Sequence, residues 1–559
     1  MFKDNVLKGH IPVLYNPNTA FAFHDSLSNY GPVAKIYGVF GVSDVSRYST
    51  DIEGFRTKNL RLYLNDPYAM GEILLKDEDG WERTESYVEN LKMVLGPGLL
   101  GTRGAKHKAQ RKILTPVFNS STIRTMVRGY MRSDERLNSF NRSLPATDAP
   151  RYISQAGIER QIREQGTDIA SIDIFEWTHR SALDAIGLGS MGHDFQTLNG
   201  VDSDYSEAIK HLLPALFSLA ILRPIMPTLY KIGPAWFRRA IITHVPSKAI
   251  KQLLSVVDVQ HEQALQIFGQ RKAALADRKH GHSLTSAQKD AVTLMLQANE
   301  KAEFKDKISE EEMLGQLNTL IFAGHDTTRR VLSAPQCTLM DDIASQSSGA
   351  LACIFQMLAE HPEIQGKLRE ELQRCPLEDP DYATLKSFPL LDAVIKETLR
   401  LHPPVTVVER VASRDTVIPL RTPTGVDTEG CSSTALAVPA GTLVMLSLRA
   451  ANRDPLTWGP DAHEWNPYRW LESLPAGVAD ARMPGIYSNI ALIITVVWVM
   501  CSAYKFALLE TKVIVAAIVR RFVLSPGDQD IFGGTSKPFV VNPVSGRASP
   551  GLVLKLTRV

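Results

Sequence analysis

Apolar residues recur along this chain with two periods, and the places where the period changes divide it into regions. Short apolar runs around Val33, Ile36, Val39 and Val42 lead into a strict alternation at Leu60, Leu62 and Leu64. A two-residue period is that of a half-buried strand, so a small sheet is expected within residues 30 to 75. From about residue 100 to 410 the apolar positions fall three and four apart, which stacks them on one face of an α-helix. Strand-like runs return between 405 and 450, at Val405–Val408 and Leu443–Leu448. The pattern predicts a mainly α fold with minor β elements.

Two helices are marked most clearly. Ser309-Glu310-Glu311-Glu312 has the spacing of a capping box, in which a serine hydroxyl and a carboxylate three residues on each satisfy a free backbone N–H. Met313, Leu314, Leu317, Leu320, Ile321 and Gly324 then line one face, as a long helix through the core requires. Leu391, Val394, Ile395 and Leu399 mark a second amphipathic helix. It has to stop before Pro403-Pro404, because proline lacks the N–H donor and clashes with the preceding turn. Two stretches break the rhythm. Residues 329–346 bring Pro335 and Asp341-Asp342 into a helical pattern; without them Ala323–Thr328 runs on into Ser347–Cys353. They read as an insertion of the kind an unspliced intron leaves. Residues 129–156 are polar, poorly periodic and proline-containing, and read either as a second insertion or as a surface loop.

Composition narrows the classes of function. A chain of 559 residues with 44% hydrophobic content can bury a sizeable core, as one large domain or two to three ordinary ones. Its 62 Lys and Arg against 60 Asp and Glu leave a net charge of +2, so no global field marks nucleic acid or an acidic polymer as a partner. The five cysteines, Cys337, Cys353, Cys375, Cys431 and Cys501, are odd in number, form no CxxC pair and avoid the first 336 residues. That argues against a disulfide framework or a zinc ribbon and leaves one reactive thiol among buried bystanders. The N-terminus has neither the basic-then-apolar layout of a signal peptide nor an apolar stretch able to span a bilayer. An N-terminal membrane anchor is therefore expected to be absent.

Three local patterns carry candidate chemistry. In Ala323-Gly324-His325-Asp326-Thr327-Thr328 the carboxyl of Asp326 stands next to the hydroxyl of Thr327, behind a glycine that lets a flat ligand approach the backbone. Such a pair can hold a water and pass protons to bound oxygen; the same residues also suit a helix C-terminus. Glu397 and Arg400, three apart, share a helix face, by itself the pattern of a surface ion pair worth little. In Trp465-Asn466-Pro467-Tyr468-Arg469-Trp470, Arg469 can complete a buried Glu-Arg-Arg network. His107 and Arg111, four apart in a basic run, can both donate to carboxylates from one face, or simply form a solvated basic surface.

In this order the pieces resemble the cytochrome P450 family, in particular its fungal microsomal branch, over roughly residues 20 to 559. Ala323–Thr328 is similar to the family's AGxDTT, Glu397 and Arg400 to its ExxR, and Pro467, Arg469 and Trp470 to its PxRW. Gly98-Leu99-Leu100-Gly101 followed by His107–Arg111 resembles the helix that holds the haem propionates, and Arg410 resembles a further propionate-binding arginine. The resemblance implies a cytochrome P450 fold, a helical bundle around haem with small β-sheets, as one domain over residues 1–559. It implies a monooxygenase that inserts one atom of O2 into an apolar small molecule, terpenoid-like by analogy with fungal secondary metabolism. The cofactor is haem b, iron protoporphyrin IX, with electrons from NADPH through a cytochrome P450 reductase. Asp326 and Thr327 are then catalytic, and His107, Arg111, Arg410 and Cys501 bind the cofactor. Glu397, Arg400 and Arg469 form a structural network beneath it. The family's home is the endoplasmic reticulum membrane, which makes a membrane surface an expected partner, and Leu212–Leu222 falls where relatives have a substrate-access region near it.

Cys501 is the expected axial ligand of the iron, because a thiolate pushes onto it the electron density that O–O cleavage needs. The helix expected after the family's cysteine follows it, in Cys501-Ser-Ala-Tyr-Lys-Phe-Ala-Leu-Leu-Glu510. The residues before it depart from the family's FxxGxRxCxG. Ile494, Val497 and Val499 stand where the family has phenylalanine, glycine and arginine, and Ala503 stands for the last glycine. β-Branched residues disfavour the tight turn that glycine permits, and they bring no positive charge to a propionate. Residues 491–500 thus join 129–156 and 329–346 as segments read as insertions or mis-spliced sequence. Two alternatives stay open: a haem-free relic with a disrupted haem loop, and a transmembrane helix at 486–504, nineteen residues without a charge.

Overall fold

The computed structural model describes residues 20–28, 30–37, 60–118, 122, 153–166, 169–197, 204–210, 232–278, 290–324, 346–374, 382–424, 432–481, 490, 503–528, 531–533, 538–541 and 548–559. Helices carry most of it. Those that build and flank the candidate site are α1 (Gly104–Leu114), α2 (Ile174–Ile186), α3 (Ala235–Thr243), α4 (Lys248–Arg278), α5 (Glu310–Gly324), α6 (Gln346–Glu360), α7 (Pro362–Gln373), α8 (Pro389–Leu401) and α9 (Ala503–Arg521). The main strands are β1 (Val33–Tyr37), β2 (Leu60–Leu64), β3 (Trp81–Glu82), β4 (Ile169–Asp173), β5 (Val407–Ala412), β6 (Leu443–Ser447), β7 (Phe522–Pro526) and β8 (Val553–Arg558).

Five strands form one sheet in the order β1-β2-β6-β5-β3, with β2 and β6 parallel and the other neighbours antiparallel. The alternation read at Leu60, Leu62 and Leu64 belongs to β2, and both faces of that strand are covered. Leu62 and Leu64 point into the main core, while Tyr63 packs on the other side with Phe23, Leu27, Ala34, Ile36, Val407 and Met445. A second sheet, β4-β8-β7, ties the C-terminal strand to the middle of the chain.

The two helices read from periodicity form for the expected reasons. At the start of α5 the Ser309 N–H donates to Glu312 Oε2 at 2.8 Å and the Glu312 N–H to Ser309 Oγ at 3.2 Å, a reciprocal capping box. Helix α8 begins on Pro389 and is capped from outside. The free N–H groups of Leu390 and Leu391 donate to the Glu371 carboxylate of α7 at 2.9 and 3.0 Å. It ends at Leu401, ahead of the proline pair. Helix α9 is buried on every side from Val513 to Val519, the mark of a central core helix. Across α6, Leu351, Ile354, Phe355 and Leu358 are fully buried.

One short strand interrupts the mostly helical stretch: Ile169–Asp173 pairs antiparallel with β8. Its partner is at the far end of the sequence, so the local period carries no notice of it. Several expectations fall outside the described residues: Val39, Val42, Leu212–Leu222, Asp326, Thr327, all of 491–500, and Cys501. Of 129–156 only the last four residues are described, at the start of the helix Ile153–Gln165; of 329–346 only Gln346, which opens α6. Among the described residues no helix is long and apolar enough to cross a membrane.

Candidate active site

Helix α8 places Glu397 and Arg400 on one face, and that face is turned inward: both side chains are 0% exposed. Arg400 Nε and Nη2 donate to the two Glu397 oxygens at 2.9 and 2.8 Å, a two-pronged pair. The remaining guanidinium donors are used on backbone carbonyls, Asn452 at 2.8 Å, Ala462 at 2.6 Å and Glu464 at 3.0 Å. Arg469 Nε reaches Glu397 at 3.4 Å, and its other end grips Asp461 at 3.0 and 2.7 Å. The indole N–H of Trp470 and the backbone N–H of Asn466 donate to Glu397 at 2.9 and 3.0 Å. Trp458 lies under the Arg400 guanidinium at 5.1 Å. Two cations meet two carboxylates, Glu397 and Asp461, so the knot is neutral as a whole. Hydrogen bonds from Arg469 hold the Asp461 carboxyl below its ordinary value, against burial. Buried charges of this kind specify one arrangement of the chain, and removing one partner strands the other.

The outcome separates the two meanings of the Glu397–Arg400 spacing. An exposed pair three residues apart contributes a few tenths of a kcal/mol; here the pair stitches α8 to the 452–470 meander, a tertiary tie. Asp461 and Trp458 belong to the knot, and no sequence pattern marked them. Trp470 lay inside a recognised motif, but its role as a donor to Glu397 needed the fold.

Helix α1 presents a different electrostatic face. His107 and Arg111 share it, and the His107 imidazole is pushed down to about 4, first by burial and then by the Arg83, Arg111 and Lys108 charges. All of those charges have the same sign. At the rim Lys106 and Lys108 reach Glu312 and Asp79 at 3.7 and 3.5 Å. At neutral pH the imidazole is therefore uncharged and donates through a single N–H, so Arg111 is the permanent cation of the two. Arg410 comes from a separate element, β5, where it pairs in register with Val444; it is buried, and its Nη1 donates to the Glu409 carbonyl at 2.9 Å.

These observations bear on the haem that the motifs imply. A half-buried imidazole suppressed by surrounding cations is a place where a carboxylate would be welcome, since an anion would relieve the repulsion that holds the proton off. The α1 face thus fits the carboxylate edge of a porphyrin. The sulfur ligand is outside the described residues; α9 begins at Ala503, two positions after Cys501. The described cysteine, Cys353, is a buried thiol pushed up to about 12 by burial, which keeps it protonated and unfit as a thiolate. Among the described residues no three His, Cys, Asp or Glu side chains converge to cage a metal ion. Helix α5 ends at Gly324, two residues before Asp326.

Comparison with known proteins fits this arrangement. The family model for cytochrome P450 matches residues 57–342 and 345–483. Cytochrome P450 monooxygenase 91 of Postia placenta is 34% identical, the match covering 99% of this chain and 92% of that protein. The ganoderic acid synthetase of Ganoderma lucidum is 30% identical over 98% of this chain and 91% of its own length. A cytochrome P450 monooxygenase of Hericium erinaceus is 32% identical, over 97% and 91%. With a mainly helical body, an ExxR pair buried in its core and matches of this length, the chain belongs to the cytochrome P450 family and is an oxidoreductase of the monooxygenase kind.

Proposed function

We propose that this protein inserts one atom of O2 into an apolar, terpenoid-like small molecule in fungal secondary metabolism. The observation that carries the reading is the α1 face, where burial and then the Arg83, Arg111 and Lys108 charges push the His107 imidazole down beside Arg111. Haem held by a thiolate supplies the electron-rich iron that activates O2. The residues of this chain do the rest. The Cys501 sulfur would hold the iron, and His107 and Arg111 of α1 with Arg410 of β5 would hold the porphyrin carboxylates. The Thr327 hydroxyl and the Asp326 carboxyl would hold a water and pass its protons into the site. Glu397, Arg400 and Arg469 keep the proximal core in one shape. Electrons come from NADPH through a cytochrome P450 reductase. A relative named for ganoderic acid synthesis supports a specialised small molecule as substrate.

A location at the endoplasmic reticulum membrane is supported by helix α3, which turns Trp236, Phe237 and Ile241 to solvent, Trp236 being 72% exposed. Aromatic and aliphatic side chains beside Arg238 and Arg239 suit an interface with anionic lipid. The deciding experiment is spectroscopic. Recombinant protein reduced under carbon monoxide should give the absorption band of a thiolate-ligated haem, and Cys501→Ser should abolish it. A parent protein without the band would overturn the oxygenase reading.

A second reading has its own support. The family match ends at residue 483, before the haem cysteine, and Val497 and Val499 stand where the family's turn has glycine and arginine. On that reading the chain is a haem-free relic, or residues 129–156, 329–346 and 491–500 are retained noncoding sequence. Transcript reads across those codons distinguish the two: a spliced message restoring glycine and arginine ahead of Cys501 supports the enzyme, whereas messages that always keep the segments support the relic.

A further inference from the structure

Helix α1 carries the carboxylate-binding pair of the function proposed above, and helix α5 runs toward Asp326 and Thr327. Two features lock these helices together, and neither belongs to a motif with an assigned role. The first is a backbone contact without side chains. A Cβ on Gly98 would lie 2.4 Å from the Gly315 carbonyl oxygen, and one on Gly315 would lie 2.5 Å from the Gly98 nitrogen. The loop that leads into α1 therefore rests directly on the backbone of α5, a seat that only glycine allows on either side.

The second is a closed ring of hydrogen bonds between two buried amides. Gln110 of α1 is 0% exposed and Gln316 of α5 is 1% exposed. The Leu99 N–H donates to Gln316 Oε1 at 3.1 Å, Gln316 Nε2 donates to Gln110 Oε1 at 2.8 Å, and Gln110 Nε2 donates to the Pro97 carbonyl at 2.9 Å. Thr102 Oγ1 adds a donor to Gln110 Oε1 at 3.1 Å. Apolar side chains of similar size would fill this space without the desolvation cost of two amides. What amides add is direction: a fully satisfied network has one geometry, and sliding α1 by a helical turn, about 5.4 Å, would break every link. Gln110 directly precedes Arg111 and lies three residues after His107, so the ring sets where both of those side chains point.

We infer that Gln110 and Gln316, seated by Gly98 and Gly315, are positioning residues that fix the carboxylate-binding face of α1 against helix α5. The role rests on the function proposed above and concerns the carboxylate edge of the porphyrin alone. It is tested by titrating two ligands into the purified full-length chain by absorbance: haemin, and haemin dimethyl ester, whose carboxylates are capped. In Gln316→Met and Gln110→Met the affinity for haemin should fall about tenfold while that for the diester stays unchanged, and the Leu99 amide should exchange faster with deuterium. An equal loss for both ligands would reduce the ring to core packing and overturn the inference, as would no loss for either. Should a methionine variant fail to fold, Gly315→Ala takes its place, since alanine favours the helix but forces the seat apart; the same selective loss is expected. A parent chain that binds neither porphyrin overturns the proposed function itself, and the positioning role with it.

Discussion

The knot at α8 and the face of α1 both gather charged side chains, and they handle charge in opposite ways. Around Arg400 every donor has a partner, cations and carboxylates balance, and Glu397 and Arg400 are sealed from solvent. Around His107 burial and then the positive charges of Arg83, Arg111 and Lys108 disfavour the protonated imidazole. A balanced, sealed cluster has nothing left to offer a ligand, so its contribution is architectural. A one-signed cluster is a cost to the fold that an anion would remove. Under the proposed function, that difference marks the first as scaffold and the second as site.

Four experiments would break or sharpen that contrast. Glu397→Gln should have the largest effect: it strands two buried guanidiniums with Asp461 as their remaining carboxylate, and about 3–5 kcal/mol of stability should be lost. Denaturant unfolding, or absence of soluble protein, would show it; a loss under about 1 kcal/mol would mean that the knot is no more than a surface pair. Arg111→Ala should cost much less stability than Glu397→Gln, yet weaken haemin binding about tenfold. Equal damage to fold and binding would erase the distinction between the two regions.

The third concerns Glu510 of α9, a buried carboxyl that burial pushes well above its ordinary value and whose Oε1 has no hydrogen-bond partner among the described residues. Its folded-state affinity for a proton exceeds that of the unfolded chain. Stability is therefore full below the ordinary carboxyl range and declines as pH rises beyond it. Glu510→Gln should remove that decline, so its melting temperature should gain on the parent's as pH rises above the ordinary carboxyl range; parallel curves would refute the assignment. The smallest effect belongs to His107. Its folded value of about 4 lies below the ordinary 6.5, so the unfolded chain binds a proton that the fold refuses, and stability falls as pH drops from 6.5 toward 4. His107→Gln should flatten that part of the ligand-free profile, measured by thermal melts. With haemin bound, the parent's own slope should shrink, because a carboxylate raises the imidazole again.

How much of this was legible beforehand depends on the range of each interaction. The capping box at Ser309 and the stop of α8 ahead of Pro403 were readable, because they follow from residues close along the chain. Glu397 with Arg400 was readable as a pair, but its burial was not: the same spacing occurs on solvated helices. Arg469 was readable only as a candidate third member of the network, and Asp461 and Trp458 carried no pattern at all. Strand β4 had no local signal, because its partner is the last strand of the chain. Gln110 and Gln316 passed unnoticed, since glutamine on a helix ordinarily faces water.

The sequence by itself determined the mainly helical class, the capping box that opens α5, the stop of α8 ahead of its proline pair and the order of the motifs. Each of these is written in neighbours along the chain, through the backbone periods and the geometry of proline, serine and carboxylate at helix termini. Only the tertiary structure decided which charges are sealed and which stay one-signed, because burial and Coulomb energy depend on what folds over a residue, from hundreds of positions away.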